Sequence, residues 1–436
     1  MKMRSLPRVL CTLAMTALCH CTISSTSSSS LDTTFGSSGK ITVDFSSGED
    51  AAEGVAIQSN GAILAVGRSY NGSNYDFALT RFDSSGNLDT SFDTDGKQTT
   101  NFGGNDEAHA VTIQSDGKIV VAGVTTSGST SQIAVARYKS DGSLDTTFSS
   151  DGLVYTLVGS QTDEANAIAL DSDGKILVAG SSYNGSKKVF AIVRYTTAGE
   201  LDTAFGTNGK VTVSLGTEDD VARGIGFQSD GKIVVGGSSE TAGKSSFAIT
   251  RLETDGDLDS ATFASSGKVT LHFIASPAPS EDIAYGMQIL AGGTILLGGT
   301  VNNGTNDFLA LARFSSSGVL DTTFGTSGKT TLGYTETDGT AHSIQGRALG
   351  LSTNNQPLLA GYVNLDAGFD TALSLFQTDG TKDIGFGTDG IVTTDATSGS
   401  QADEAHAIAI QSDGKKVLAG RSFNGSNYDL LVLRYN

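Results

Sequence analysis

The chain repeats one unit seven times, and this repetition limits its fold more than any other feature of the sequence. Each unit opens with a phrase of the type LDTTFG, whose aspartate recurs every 56 to 62 residues. These aspartates are Asp32, Asp89, Asp145, Asp202, Asp259, Asp321 and Asp383. A period of this length is typical of folds built from stacked or radial copies of one small unit.

Each unit predicts four short β-strands, a to d. Strand a is of the type AHAIAIQ and strand b of the type KILVAG, with SDG or SNG between them. Asp-Gly and Asn-Gly favour hairpin turns because they tolerate positive φ. Strand c ends in Arg-Tyr or Arg-Phe, and strand d is of the type GKVTV. The apolar b strands, such as IVVA at residues 119–122, indicate burial on both faces.

Strand a has a pattern that can be counted from the acid at its start, which is Asp50 in the first unit. Positions two and four are Ala or Gly in every unit, whereas positions five and seven are larger and apolar. Strict alternation predicts one small face and one large face. A small face suits inner strands that crowd around an axis. We therefore predict an all-β, seven-bladed β-propeller of four-stranded antiparallel blades over residues 31–436, with a linear β-solenoid as the alternative.

The two ends of the repeat region are incomplete in complementary ways. Residues 31–45 form a strand d with no strands a to c before it, and the chain stops at Asn436 after a strand c. Together the two ends supply one complete blade. We predict a closure of three strands plus one, with the N-terminal strand as the outer edge of the last blade.

The phrases LDTTFG..GK, Q.DGKI..AG and A..R with a following aromatic residue resemble the delta-60 repeat family, a domain of unknown function. The resemblance covers residues 31–436. It implies a β-propeller in an exported bacterial protein, and it brings no catalytic residues. The sixth unit departs most from the pattern, with Ile344 in place of the acid, NNQP at the hairpin turn and Leu375 in place of the arginine. Its blade is the least certain of the seven.

The first 21 residues have a basic start and an apolar run over residues 9–18, which is typical of a secretory signal. The run is too short for a transmembrane helix. Cys21 at its end predicts lipidation of the bacterial lipoprotein kind, although His20 before it is unusual. Residues 22–30 are rich in serine and predict a flexible tether. We expect export to the cell envelope, the outer surface or the medium, with membrane attachment only through a lipid on Cys21.

Charge and composition exclude several classes of partner. The net charge is −19, which argues against nucleic acid and anionic membrane surfaces. All three cysteines lie in the leader, so the repeat region has neither a disulfide nor a thiolate metal site. The five histidines show no zinc-binding spacing. We expect a monomer without a cofactor, with calcium as the one cation to consider.

The acid of strand a and the arginine of strand c are 31 residues apart in every unit, and the sixth unit lacks both. A buried ion pair is one interpretation. However, strands a and c run parallel, which places the start of one and the end of the other at opposite ends of the blade. We favour separate roles, in which Arg81 reaches Asp89 across the turn between strands c and d.

Two sets of side chains on strand a are candidate sites. Six acids that start the strand predict either turn residues that accept backbone N–H groups or a ring that binds a cation, calcium above all. They are Asp50, Asp106, Asp163, Asp220, Asp282 and Asp403. Position three is polar or amphipathic and differs from unit to unit, which suggests a binding rim at the axis, or a solvated rim without a ligand. It holds Glu53, His109, Asn166, Arg223, Tyr285, Arg347 and His406.

No catalytic constellation is evident, so we expect an exported, non-catalytic propeller that binds a protein or a glycan at the cell surface. One alternative is a secreted enzyme that acts on extracellular polysaccharide with axial carboxylates. The other is a purely structural repeat protein of the envelope.

Overall fold

A computed structural model describes residues 30–273, 281–365, 368–397 and 401–436 of the chain. The leader, Cys21 and the tether up to residue 29 lie outside the described residues. In the described part, no helix is long and apolar enough to cross a membrane. The structure consists of seven four-stranded antiparallel sheets and one small hairpin, which confirms the predicted seven-bladed β-propeller.

The strands follow the predicted order a, b, c, d in each unit, and we number them along the chain. Before the first complete blade lies β1 (Lys40–Val43). Blade I contains β2 (Asp50–Ile57), β3 (Ile63–Tyr70), β4 (Tyr75–Phe82) and β5 (Lys97–Thr100). Blade II contains β6 (Asn105–Ile113), β7 (Ile119–Ser127), β8 (Thr130–Tyr138) and β9 (Leu153–Thr156). Blade III contains β10 (Asp163–Leu170), β11 (Ile176–Tyr183), β12 (Lys188–Tyr195) and β13 (Lys210–Val213).

The second half of the ring repeats this arrangement, with a small hairpin added between blades V and VI. Blade IV contains β14 (Asp220–Phe227), β15 (Ile233–Thr241), β16 (Lys244–Leu252) and β17 (Lys268–Leu271). Blade V contains β18 (Ile283–Ile289), a 3-10 turn (Ala291–Gly293), β19 (Ile295–Asn302), β20 (Asp307–Phe314) and β21 (Lys329–Leu332). The inserted hairpin is β22 (Tyr334–Thr335) and β23 (Ala341–His342). Blade VI contains β24 (Ile344–Leu351), β25 (Pro357–Leu365), β26 (Gly368–Leu375) and β27 (Ile391–Thr394). Blade VII contains β28 (Asp403–Ile410), β29 (Lys416–Phe423), β30 (Tyr428–Tyr435) and, from the start of the chain, β1.

The inner strands close into a ring. Each strand a contacts the strand a of both neighbouring blades, and β2 of blade I contacts both β6 of blade II and β28 of blade VII. The apolar core lies between the blades, where seven clusters of buried side chains each combine residues from adjacent sheets. Contact between the first and last blades rules out the linear solenoid.

The predicted closure is confirmed at residue level. Strand β1 pairs antiparallel with β30, from Lys40 opposite Leu433 to Val43 opposite Leu430. Just before this strand, the Asp32 carboxylate contacts the Arg434 guanidinium, with an Oδ2–Nη2 distance of 2.8 Å. Both side chains are almost fully buried. The N-terminal segment therefore completes blade VII through strand pairing and a buried ion pair.

The junction between strands c and d repeats one arrangement in six blades. Arg81 Nε donates to Asp89 Oδ2 at 2.9 Å, as predicted, and the guanidinium lies 4.8 Å from the ring centre of Phe92. Arg81 also donates to the carbonyl of Ser140 in the next blade. The matching pairs are Arg137–Asp145, Arg194–Asp202, Arg251–Asp259, Arg313–Asp321 and Arg434–Asp32. The strand c arginine thus joins its own blade to its neighbour.

A β-bulge in every strand a corrects the prediction of one small face. In blade I, Ala52 opposes Gly67 while Gly54 opposes Val66, so Glu53 at position three is the extra residue. The bulge advances the pairing by one residue and places positions two and four on opposite faces. Position two packs with positions five and seven against the preceding blade, and position four faces the next blade.

The glycine opposite each bulge is required by close approach of the backbone. A Cβ at Gly67 would lie 1.9 Å from the carbonyl oxygen of Ala51, far inside van der Waals contact. The equivalent glycines meet the same carbonyl in their own blades. They are Gly123, Gly180, Gly237, Gly299, Gly361 and Gly420.

The sixth blade forms in spite of its divergent sequence. It has all four strands and the same bulge, between Gly346 and Ala348. Ile344 and Leu375, which replace the acid and the arginine, are both buried. Apolar packing here takes the place of the polar contacts of the other blades.

Candidate functional site

The bulged residues of the seven inner strands lie next to one another around the propeller axis, and we call them the axial ring. Its members are the seven predicted rim residues Glu53, His109, Asn166, Arg223, Tyr285, Arg347 and His406. Several of them contact the backbone of the next blade. His109 Nδ1 lies 2.9 Å from the carbonyl oxygen of Ala165, and Asn166 Nδ2 donates to that of Ala222 at 3.1 Å. The bulge is the feature that brings these side chains to the axis.

One half of the axial ring is acidic and centred on His406. This imidazole lies between two carboxylates, with Nδ1 2.9 Å from Glu53 Oε2 and Nε2 3.1 Å from Glu404 Oε2. Burial opposes the imidazolium charge, but the two carboxylates outweigh it and raise the pKa of His406 to about 9. Burial likewise opposes the charge of Glu53, yet the nearby histidines lower its pKa to about 2. The cluster is therefore ionised at neutral pH.

The acidic half extends through blades II and III. Arg68 Nη1 donates to Glu107 Oε2 at 2.8 Å, and Ser181 Oγ donates to Glu164 Oε1 at 2.8 Å. A hydrogen bond from His109 lowers the pKa of Glu107. Burial works against ionisation of Glu164, but Lys188 and Ser181 still lower its pKa. With Glu53 and Glu404, four ionised glutamates lie on this side of the axis.

The other half is basic and aromatic. Tyr285 lies between two arginines, with its ring centre 5.1 Å from Cζ of Arg223 and 4.5 Å from Cζ of Arg347. Arg223 Nη1 donates to Ser238 Oγ at 2.8 Å, and Arg347 Nη2 donates to Tyr362 OH at 3.0 Å. The axial ring therefore presents acceptors on one side and donors on the other.

Sequence reasoning identified position three but missed several partners that complete the site. Glu107, Glu164 and Glu404 follow the strand a acid at position one, and Arg68 and Arg421 lie opposite on strand b. A charged residue in an otherwise apolar inner hairpin was the available signal. It is weak because positions one and three meet only after the bulge has formed.

The six acids that start strand a lie at separate junctions between blades. Each accepts a backbone N–H from the connection that precedes its strand, as Asp50 Oδ2 does from Phe45 at 2.8 Å and Asp106 Oδ2 from Phe102 at 2.6 Å. The other four accept in the same way, from Val158 to Asp163, Leu215 to Asp220, Phe273 to Asp282 and Ala396 to Asp403. Every one of the six carboxylates is thus held by its own connecting segment.

Two of these acids lie in three-carboxylate clusters instead of a common ring. Asp50 lies with Asp44 and Asp429, and Asp403 lies with Asp370 and Asp395, with oxygens within 4.8 Å of one another in each cluster. No cluster among the described residues contains two of the six acids. Burial and the neighbouring carboxylates raise the pKa of Asp50 and of Asp370 to about 6. Repulsion between neighbouring carboxylates therefore acts within each of these two clusters, at two separate junctions between blades.

Comparison with known families gives one match. The family model described as "Domain of unknown function (DUF5122) beta-propeller" matches residues 58–92, 114–148, 172–205, 228–261 and 293–324. In each of blades I to V, the matched segment begins at the hairpin after strand a and ends between strands c and d, at Phe92 in blade I. No curated protein matches the chain.

Solved structures with similar folds are distant in sequence. A catalytically inactive virginiamycin B lyase from Staphylococcus aureus has a TM-score of 0.47 and 11% identity, covering 90% of this chain and 98% of that one. Sqt1 from Chaetomium thermophilum has a TM-score of 0.47 and 10% identity, covering 90% and 96%. The polysaccharide lyase Uly1 has a TM-score of 0.46 and 11% identity, covering 88% and 90%. These likenesses concern the fold alone.

Proposed function

The chain is a β-propeller whose first five blades carry the repeats of the DUF5122 family, and we propose that it is an exported, non-catalytic binding protein that holds its ligand at the axial ring. The observation that carries this proposal is the charge arrangement at the axis. Ionised glutamates with their cationic partners occupy one side, and Arg223 and Arg347 occupy the other, on inner strands that the closed ring holds in place. Such preorganised polar groups favour ligand binding because little ordering is needed.

The ionisation states argue against catalysis at this site. A glycosidase general acid needs a carboxyl group that is protonated at the working pH. The pKa values of Glu53, Glu107, Glu164 and Glu404 are all lowered, and that of His406 is raised by carboxylates that already hold its proton. None of these groups is poised to exchange a proton with a substrate near neutral pH.

Location and partner class rest on the sequence. The secretory leader and Cys21 support export to the cell envelope with a lipid anchor, and the net charge of −19 disfavours nucleic acid. We therefore place the ligand among surface proteins and glycans, bound by a monomeric propeller.

The test removes the axial side chains and measures ligand capture. The variant carries alanine at Glu53, His109, Arg223, Tyr285 and His406. A matched control carries alanine at the exposed residues Lys139, Glu200 and Val319. Both are screened on a glycan array and in pull-downs from envelope extracts, with circular dichroism to verify folding.

We expect the axial variant to lose the ligand that the parent protein and the control retain. Capture that survives in a folded axial variant would place the ligand site elsewhere on the propeller, and a parent protein that captures nothing would leave a structural spacer as the better function. Turnover of a polysaccharide by the parent protein, lost in the axial variant, would instead establish the enzyme.

A further inference from the structure

The basic half of the axial ring contains two arginines that form no ion pair with a described residue. Arg223 and Arg347 flank Tyr285 on neighbouring inner strands, and neither has a carboxylate within 4.0 Å among the residues that the structure describes. The acidic half is different, because Arg68 lies 2.8 Å from Glu107 and Arg421 lies 2.7 Å from Glu404. The same axis thus holds two paired arginines and two unpaired ones.

The two unpaired guanidiniums keep most of their hydrogen-bonding capacity free. Each donates one hydrogen bond to a protein side chain, Arg223 to Ser238 and Arg347 to Tyr362. The Nε of Arg347 is buried and has no hydrogen-bond partner. A guanidinium offers five N–H donors in a planar fork that matches a carboxylate. The buried Nε is out of reach of a ligand, and the Nε of the paired Arg421 has no partner either. The donors open to a ligand are therefore the terminal nitrogens of the two half-buried arginines.

The electrostatic environment differs between the two arginines. Burial lowers the pKa of Arg223, although Tyr285 and Glu164 act against this effect. Burial also opposes the charge of Arg347, but Tyr285, Tyr362 and Glu404 outweigh it and raise the pKa of that arginine. The aromatic ring of Tyr285 stabilises the positive charge of both arginines only in part. An incoming anion would meet two like charges, neither of them in an ion pair with a carboxylate of the described residues.

The acidic half limits which anion fits. The carboxylates of an acidic peptide bring no hydrogen-bond donors to the other side of the axis. Four ionised glutamates lie there, each beside a cationic side chain of the protein. They accept hydrogen bonds from hydroxyl groups. A uronic acid unit combines one carboxylate with several hydroxyls, so it matches both halves at once.

We infer that Arg223, Tyr285 and Arg347 bind the carboxylate of an acidic glycan built from uronic acid units. This assignment rests on the proposed axial binding function and names its ligand class. The carboxylate accepts hydrogen bonds from the two guanidiniums, and the sugar hydroxyls donate to the glutamates of the opposite half.

The experiment measures binding of defined oligosaccharides to the full propeller by calorimetry. The probes are tetramers of galacturonate, glucuronate, guluronate and mannuronate, the fully methyl-esterified galacturonate tetramer and tetraglutamate. The variant is Arg223→Gln with Arg347→Gln. A control, Lys139→Gln with Lys382→Gln, removes the same charge far from the axis, and Arg347→Lys keeps the charge but loses the fork.

We expect at least one uronate tetramer to bind, the ester to bind weakly, and the double arginine variant to lose at least about tenfold in affinity. The lysine control should bind like the parent protein, and Arg347→Lys should be intermediate. Failure of every uronate tetramer to bind overturns the assignment, as does ester binding equal to that of the acid. Ester binding that the axial alanine variant abolishes would still support the proposed function, and preferred binding of tetraglutamate would identify a protein ligand instead.

Discussion

The closure of the ring combines the pairing of β1 and β30 with one buried ion pair, and removal of that ion pair is the most informative perturbation of the fold. Asp32 Oδ2 lies 2.8 Å from Arg434 Nη2 and 2.9 Å from Lys415 Nζ. The side chains of Asp32 and Arg434 are 5% and 4% exposed, so both charges are out of water. Asp32→Ala leaves the Arg434 guanidinium buried beside Phe35, with the carbonyl of Ser84 and the side-chain oxygen of Gln411 as its remaining acceptors.

The expected cost follows from this geometry. Removal of one partner from a buried ion pair costs about 3–5 kcal/mol, because the other charge stays buried. The Ser84 carbonyl and the Phe35 ring offset part of it, which favours the lower end. An unfolding entropy of about 2 cal/mol/K per residue then predicts a decrease in melting temperature of about 4 °C for a domain of this size.

A matched variant separates loss of the ion pair from loss of ring closure. Asp145→Ala breaks the same contact in blade II, where Asp145 Oδ2 lies 2.9 Å from Arg137 Nε and both side chains are buried. Its strand β9 remains joined to β8 by the chain, through residues 139–152, whereas β1 is held to β30 by non-covalent contacts. We therefore expect similar melting temperatures for the two variants. Amide hydrogen exchange should increase over Lys40–Val43 in Asp32→Ala only.

Two results would refute this reasoning. An Asp32→Ala protein that melts with the parent would mean that the ion pair does not stabilise the closure. Unchanged exchange in β1 of a destabilised Asp32→Ala protein would mean that the closure opens only with global unfolding.

Three further predictions concern single blades. Double-mutant cycles should show energetic coupling between Arg81 and Asp89 and none between Arg81 and Asp50. Coupling of Arg81 with Asp50 would contradict separate roles for the strand c arginine and the strand a acid. Gly67→Ala should lower the melting temperature far more than Gly54→Ala. A Cβ at Gly67 would lie 1.9 Å from a carbonyl oxygen, whereas a Cβ at Gly54 would lie 3.0 Å from one. Equal effects of the two substitutions would argue against the bulge. The pKa of Asp50 is raised to about 6, so the folded state binds the additional proton and loses stability as pH rises from about 4 to 6. The free energy of unfolding of Asp50→Asn, measured by denaturant titration, should therefore increase by about 2–3 kcal/mol relative to the parent as pH rises from 3.5 to 7. A difference between the two proteins that does not change with pH would place the pKa of Asp50 near its usual value.

Much of the fold was predictable because its signals are local. Turn dipeptides and apolar strands lie within about ten residues of one another, so each unit indicates its own four strands. The pair of Arg81 and Asp89 was predictable for the same reason, since a single turn separates them. The closure was predictable because the missing strands at the two ends are complementary.

The bulge was not predicted, because it changes pairing without changing the apparent alternation. Ala52 and Gly54 are two residues apart and small, so a regular strand would place them on one face. The structure places them on opposite faces and turns Glu53 toward the axis. Gly67 was the available signal, since a glycine inside a buried strand often marks a bulge or a close backbone approach.

The sequence by itself determined the number of blades, their strands, the closure and the positions that vary at the axis. Only the tertiary structure decided which side chains meet there. His406 contacts Glu53, and Arg347 lies over Tyr285, across blades that the chain separates by many residues. Such contacts depend on the bulge and on closure of the whole ring, whereas strands and turns depend on neighbouring residues alone.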